Sequence, residues 1–159
     1  IRRQRQMCIR DSDIIGALKD VLKVACTDCK EVYTEEMPQD FERPSLYISL
    51  QSVSRTAITC KTMQNKAKIK INCFAVKDDY GYCTEADLNT LMGKVMQVLA
   101  AGYIRTDDRA ITLSMQTGET QADYACITVD ALYTTARNEN GKEYDLMRVV
   151  KTKLEDREK

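Results

Sequence analysis

The sequence predicts an α+β domain: a mostly antiparallel sheet with two main helices packed on one face. Three observations carry this. Residues 13–29 and 84–102 place apolar side chains at helical spacing. Other segments alternate apolar and polar residues with the strand period of two, most cleanly KAKIKINCFAVK at 66–77. The elements also run helix, strands, helix, strands, without the regular alternation of a parallel sheet. No internal repeat or linker interrupts them.

The first eleven residues, IRRQRQMCIRD, fit none of these patterns. Arg2 to Asp11 back-translate in frame to a transposase adaptor used in sequencing. We therefore expect residues 1–11 to be a disordered, non-native scar and the true start to be missing. A basic arm that binds nucleic acid is the competing reading. Residues 12–150 are expected to form a single domain, and 151–159 a charged tail that frays.

In DIIGALKDVLKVACTDC, Ile14, Leu18, Leu22 and Ala25 form a helical stripe that Ile15 and Val21 widen, with Ser12 or Asp13 as cap. EVYTEE reads as a short strand, and the next loop is held by Pro38 and Pro44. SLYISLQ sets Leu46, Ile48 and Leu50 on one face. The polar stretch 52–64 has no strong period and reads as a long hairpin tip or a flexible flap. In the next strand Ala67, Ile69, Ile71, Cys73 and Ala75 point one way; Lys66, Lys68, Lys70 and Asn72 point the other. DDYGY is a turn. Thr84 and Asp87 suggest a capping box for a helix striped by Leu88, Leu91, Met92, Val95, Met96 and Leu99, with Gly102 at its C-terminal end. AITLSMQT and DYACITVDALYTT are two further strands. Asn140-Gly141 centres a turn, and YDLMRVVKTKLEDREK is a final strand or short helix.

Composition narrows the function. Setting the scar aside leaves 20 basic and 23 acidic residues, a net charge of −3, which suits duplex binding poorly. No apolar run approaches the ~20 residues of a membrane span. Six Cys remain outside the scar, two of them in apolar alternation (Cys73, Cys126), and we read the chain as cytosolic and reduced. There is no His in the sequence, which removes the commonest general base and the commonest zinc ligand. No phosphate-binding glycine loop or nucleophile elbow is present.

Cys26-Thr27-Asp28-Cys29 is the one motif of redox or metal type. Its second half is missing, and it closes a helix, where the helix dipole opposes a thiolate. The acid pairs Glu35-Glu36 and Asp78-Asp79 read as solvated charges. The row Lys66, Lys68 and Lys70 could follow a phosphate backbone, but no stacking aromatics are interleaved with it. It fits better as a polar sheet face that meets acidic groups on a neighbouring subunit. We thus expect a structural or binding module, with no catalytic residue, cofactor or metal.

Val32-Tyr33-Thr34-Glu35-Glu36, followed by Phe41-Glu42-Arg43-Pro44-Ser45-Leu46-Tyr47-Ile48, resembles a segment of a tail terminator family from phages and prophages of Gram-positive bacteria. The order of elements around it is similar too, including a central strand that ends in an aromatic, here Phe74. The similarity covers roughly residues 13–150. One departure stands at the strand's exit, where Ala75-Val76-Lys77 replaces an aromatic-Pro pair.

The resemblance implies a small subunit of a homo-oligomeric ring, commonly a hexamer. Such a ring caps the tail tube, ends its polymerisation and offers a surface to the head-tail connector. Its partners would be further copies of itself, the tail tube protein and the connector, with no membrane and no specific nucleic acid. Its place would be the virion tail or neck, assembled in the host bacterial cytoplasm. The family supplies no residue-level site. From the residues themselves we expect contacts on the polar tip, with Arg55 and Lys61, and on the Lys66/Lys68/Lys70 face. Two alternatives stand beside this: another neck or head-closure protein, and a small thiol- or metal-binding module using Cys26 and Cys29.

Overall fold

A computed structural model describes residues 11–107 and 109–137. The elements in chain order are α1 (Asp11–Ala25), β1 (Glu31–Tyr33), β2 (Ser45–Ala57), β3 (Thr62–Phe74), α2 (Glu85–Leu99), β4 (Tyr103–Arg105), β5 (Ala110–Thr120) and β6 (Ala125–Ala136). The described strands form one sheet in the order β1-β2-β3-β6-β5-β4. Only β1 and β2 pair in parallel; every other pair is antiparallel. The α+β class and the mostly antiparallel sheet are as the sequence predicts.

The core lies between the helices and one sheet face. Ile14, Leu18 and Leu22 of α1 are buried, as are Leu88, Leu91, Val95 and Leu99 of α2. Opposite them, Ile48, Ile71 and Ile127 lie in one row across β2, β3 and β6, and Ile69 and Val129 lie in the next row but one. Each such side chain contributes about 1.5–3 kcal/mol on leaving water. Gly118 of β5 lets α2 come close: a Cβ there would lie 2.8 Å from Met92 Sδ and 3.2 Å from Met96 Sδ.

Local details depart from the sequence reading. Residues 52–64 are mostly regular ladder, and the hairpin turn is confined to 58–61. Backbone pairing to both β2 and β6 holds this stretch of β3, so its polarity does not loosen it. The Thr84 side chain makes no capping bond; its carbonyl accepts from the backbone N–H of Asp87 and Leu88 instead. Gly102, at φ +77°, donates its N–H to Leu99 O and turns the chain into β4, a strand too short to show a period. Asp11, which we counted with the scar, opens α1. The Asn140-Gly141 turn, the element after it and the charged tail lie outside the described residues.

The exit of β3 is clamped to the entry of β2. The Phe41 and Phe74 rings lie 4.9 Å apart and Tyr124 adds a third ring at 5.7 Å from Phe74. Arg43 sits over Phe41 and Phe74 and donates to the carbonyls of Ala75 and Asp123, at 3.3 and 3.4 Å. Ala75 is buried, and a bridge between Lys77 and Cys83 then closes the turn.

Candidate assembly interface

Residues directly opposite each other in a sheet share a face. The register therefore gathers Ser49, Lys70 and Thr128 in one row, Ser52, Lys68 and Asp130 in the next, and Ser54, Lys66 and Leu132 in a third. These rows look away from the helices, because Ile69, Ile71, Val129 and Ala131, on the other parity, form the core. The face is thus a hydroxyl column on β2, a lysine column on β3, and a mixed column on β6.

The three lysines are not equivalent. Lys66 Nζ lies 2.8 Å from Asp130 Oδ2, and the Asp130 side chain is only 5% exposed against 47% for Lys66. Lys66 therefore serves a carboxylate of its own chain. Lys68 is exposed and Lys70 half-buried, and neither has a carboxylate within ion-pair distance among the described residues. Two acceptors on this face, Asp130 Oδ1 and Asn72 Oδ1, are buried and meet no donor among the described residues. Buried acceptors without donors are costly. Sequence reasoning missed Asp130. Its signal was a lone acid on the wet parity of β6, beside a strand bearing three lysines.

Arg55 and Lys61 are not brought onto this face. Arg55 is opposite Asn65, which is opposite Tyr133, so it shares the helix-side parity. Lys61 is in the hairpin turn. That turn is well tied: Ile58 and Thr59 N–H donate to Thr62 O, Thr59 Oγ1 accepts from Lys61 and Thr62 N–H, and Arg137 N–H donates to Lys61 O at 2.9 Å.

At the Cys pair, Cys26 is buried and Cys29 half-buried. The hydrogen bond from the Cys29 thiol, aided by Lys94, lowers Cys26 to about 7, and that same bond, with burial, pushes Cys29 up. Lys94 is ion-paired with Asp28. Among the described residues no group of three or more His, Cys, Asp or Glu is placed to hold a metal ion. The Cys26 proton should thus leave as pH rises through about 7, below the ordinary 9.0. We expect the ultraviolet thiolate absorbance, read as wild type minus Cys26→Ala, to show this step, and Cys29→Ala to move it upward. A step that does not move would rule out Cys29 as its cause.

Among the described residues no helix is long and apolar enough to cross a membrane. No curated protein matches the chain. Residues 13–143 match the family model for phage tail terminator proteins, most of the chain and both ends of the core just described. The chain therefore belongs to the phage tail terminator protein family, and is a structural protein of the virion tail.

Proposed function

We propose that the chain forms a homo-oligomeric ring, a hexamer, that caps the tail tube, ends its polymerisation and joins the tail to the head connector. Assembly takes place in the host cytoplasm. The observation that carries the reading is the polar sheet face, where Lys68 and Lys70 stand in a row with no carboxylate within ion-pair distance among the described residues. Carboxylates of a neighbouring subunit would complement these two lysines. The hairpin-turn end, with Arg55 on the adjoining ladder and Lys61 in the turn, is the second proposed contact of the assembly. Being already tied, it docks without the ordering cost of a flap.

The mechanism is steric and interfacial: one ring surface repeats the tube's own stacking surface, and the other does not accept a further tube ring. Neither part needs a catalytic group. Purified tube protein allowed to polymerise with this chain present should give tubes that stop growing when fresh tube protein is added, as seen in electron micrographs. Tubes that elongate equally with and without the chain would end this reading.

A further inference from the structure

The two ends of the sheet carry opposite charge. At the hairpin-turn end the ladder brings together residues 57–62, 105–107, 109–110 and 136–137. Arg109 donates to Thr134 O and Arg137 to Lys61 O there. Among the described residues this end holds the exposed cations Arg55, Lys61, Arg105, Arg109 and Arg137 against the exposed Asp107. None of the five has a carboxylate within ion-pair distance among the described residues. Ile58, 54% exposed, stands among them.

The opposite end gathers the 75–84 turn, residues 119–124 and the start of α2. The Cys83 thiol lies by Asp123 O, and Thr120 Oγ1 bonds Asn89 Oδ1. Asp78, Asp79, Glu85, Asp87, Glu119 and Asp123 are exposed here against the exposed Lys77 and the half-buried Arg43, which is turned inward onto the Ala75 and Asp123 carbonyls. None of these acids has a cation within ion-pair distance among the described residues. Tyr80 and Tyr82 stand out of this end, 86% and 71% exposed, with Val76 at 55%. The turn that holds them is internally hydrogen-bonded: Asp78 Oδ1 accepts from Tyr80 and Tyr82 N–H at 3.0 and 2.8 Å, and Gly81 takes φ +82°. Exposed aromatics on a fixed frame are the side chains that anchor interfaces, since little entropy is lost when they are covered. Arginines pack well on such rings.

We propose that these two ends are the halves of one contact between copies: the basic hairpin-turn end of one subunit seats on the acidic, tyrosine-bearing end of the next. The partner is a second copy because each end complements the other in sign and both stand on the same chain. Such a contact is head-to-tail, so it repeats around a ring or along a filament, as a self-complementary two-fold contact cannot. Solvated partners of opposite sign steer association and fix its register. This deepens the ring reading above and rests on it.

The test uses two charge-reversed variants and native mass measurement at matched concentration. One carries Arg55→Glu, Lys61→Glu and Arg137→Glu. The other carries Asp79→Lys, Glu85→Lys and Asp123→Lys, sparing Asp78 because it holds the turn. Circular dichroism checks that both fold. Like charges then face each other in each variant alone, and the dissociation constant should rise about a hundredfold or more. In an equal mixture every contact regains opposite signs, so alternating oligomers with an even number of subunits should reappear and weaken as salt is added. Variants that oligomerise alone as the wild type does, or folded variants that fail to recover on mixing, would overturn the end-to-end contact only. A wild-type chain that stays monomeric would overturn both this contact and the ring.

Discussion

Ile71→Ala should destabilise the fold by about 2–5 kcal/mol, the range of a fully buried Leu or Ile cut to Ala. Ile71 is fully buried on β3, the strand that pairs along its length with β2 and β6. Ile48 and Ile127 flank it in register, and Leu46 and Ala125 lie in the neighbouring positions of the same face. Removing three carbons from such a site loses their transfer energy and leaves a cavity that two paired strands cannot close. Domains of this kind have about 5–15 kcal/mol of stability in all, so the loss is a large fraction. The melting temperature should fall about 2–4 °C for each kcal/mol. Ile71→Val, which removes one carbon, should cost about 0.5–1.5 kcal/mol. Urea unfolding measures both; equal midpoints for Ile71→Ala and wild type would contradict the placement of β3 at the centre.

Lys66→Glu should be the second large effect, about 2–4 kcal/mol. A buried ion pair broken from one side costs about 3–5 kcal/mol because the remaining charge is stranded. Lys66 is half-exposed, so solvent screening reduces that figure. The new carboxylate also faces Asp130 with like charge. Replacing both residues with Leu should return stability to within about 1–2 kcal/mol of wild type, since an apolar pair of similar size leaves no stranded charge. Denaturant unfolding of Lys66→Leu, Asp130→Leu and the double completes the cycle. A Lys66→Glu protein as stable as wild type would mean that the ion pair does not bear on the fold. The outcome also separates folding from assembly: among the three lysines, Lys68 and Lys70 are the ones whose reversal should leave the monomer intact.

Where the sequence has a strong period, it predicts the burial seen. The stripe Ile14, Leu18, Leu22 and the stripe Leu88, Leu91, Val95, Leu99 are buried, but Ala25 and Val21, predicted on the first stripe, are exposed, and Cys26 is buried at the end of α1 instead. The alternation in β3 separates Ile69 and Ile71 from Lys68 and Lys70 as written. What escaped the sequence is what depends on distant neighbours. The parallel pairing of β1 with β2 and the three-residue β4 carry no pattern of their own. Residues 52–64 look loose because their side chains are polar, yet 52–57 pair with β3, and 62–64 also pair with β6. Arg43 looks like a loop charge, but Phe41 and Phe74, 33 positions apart in the chain, make a slot for it. At the candidate interface, the parity of the lysine row was legible. Its division into Lys66, tied to Asp130, and Lys68 and Lys70, left open, was not, because the ion pair crosses between strands 64 residues apart. The polarity of the two sheet ends likewise emerges only when six segments are folded together.

The central claim is that these surfaces are built to meet copies of the chain and the end of a tube. Native mass measurement of residues 12–159, with and without purified tail tube protein, tests it most directly. The claim predicts a closed oligomer of one size, six copies, and a heavier species when tube protein is added. A chain that stays monomeric at high concentration and ignores tube protein would contradict it.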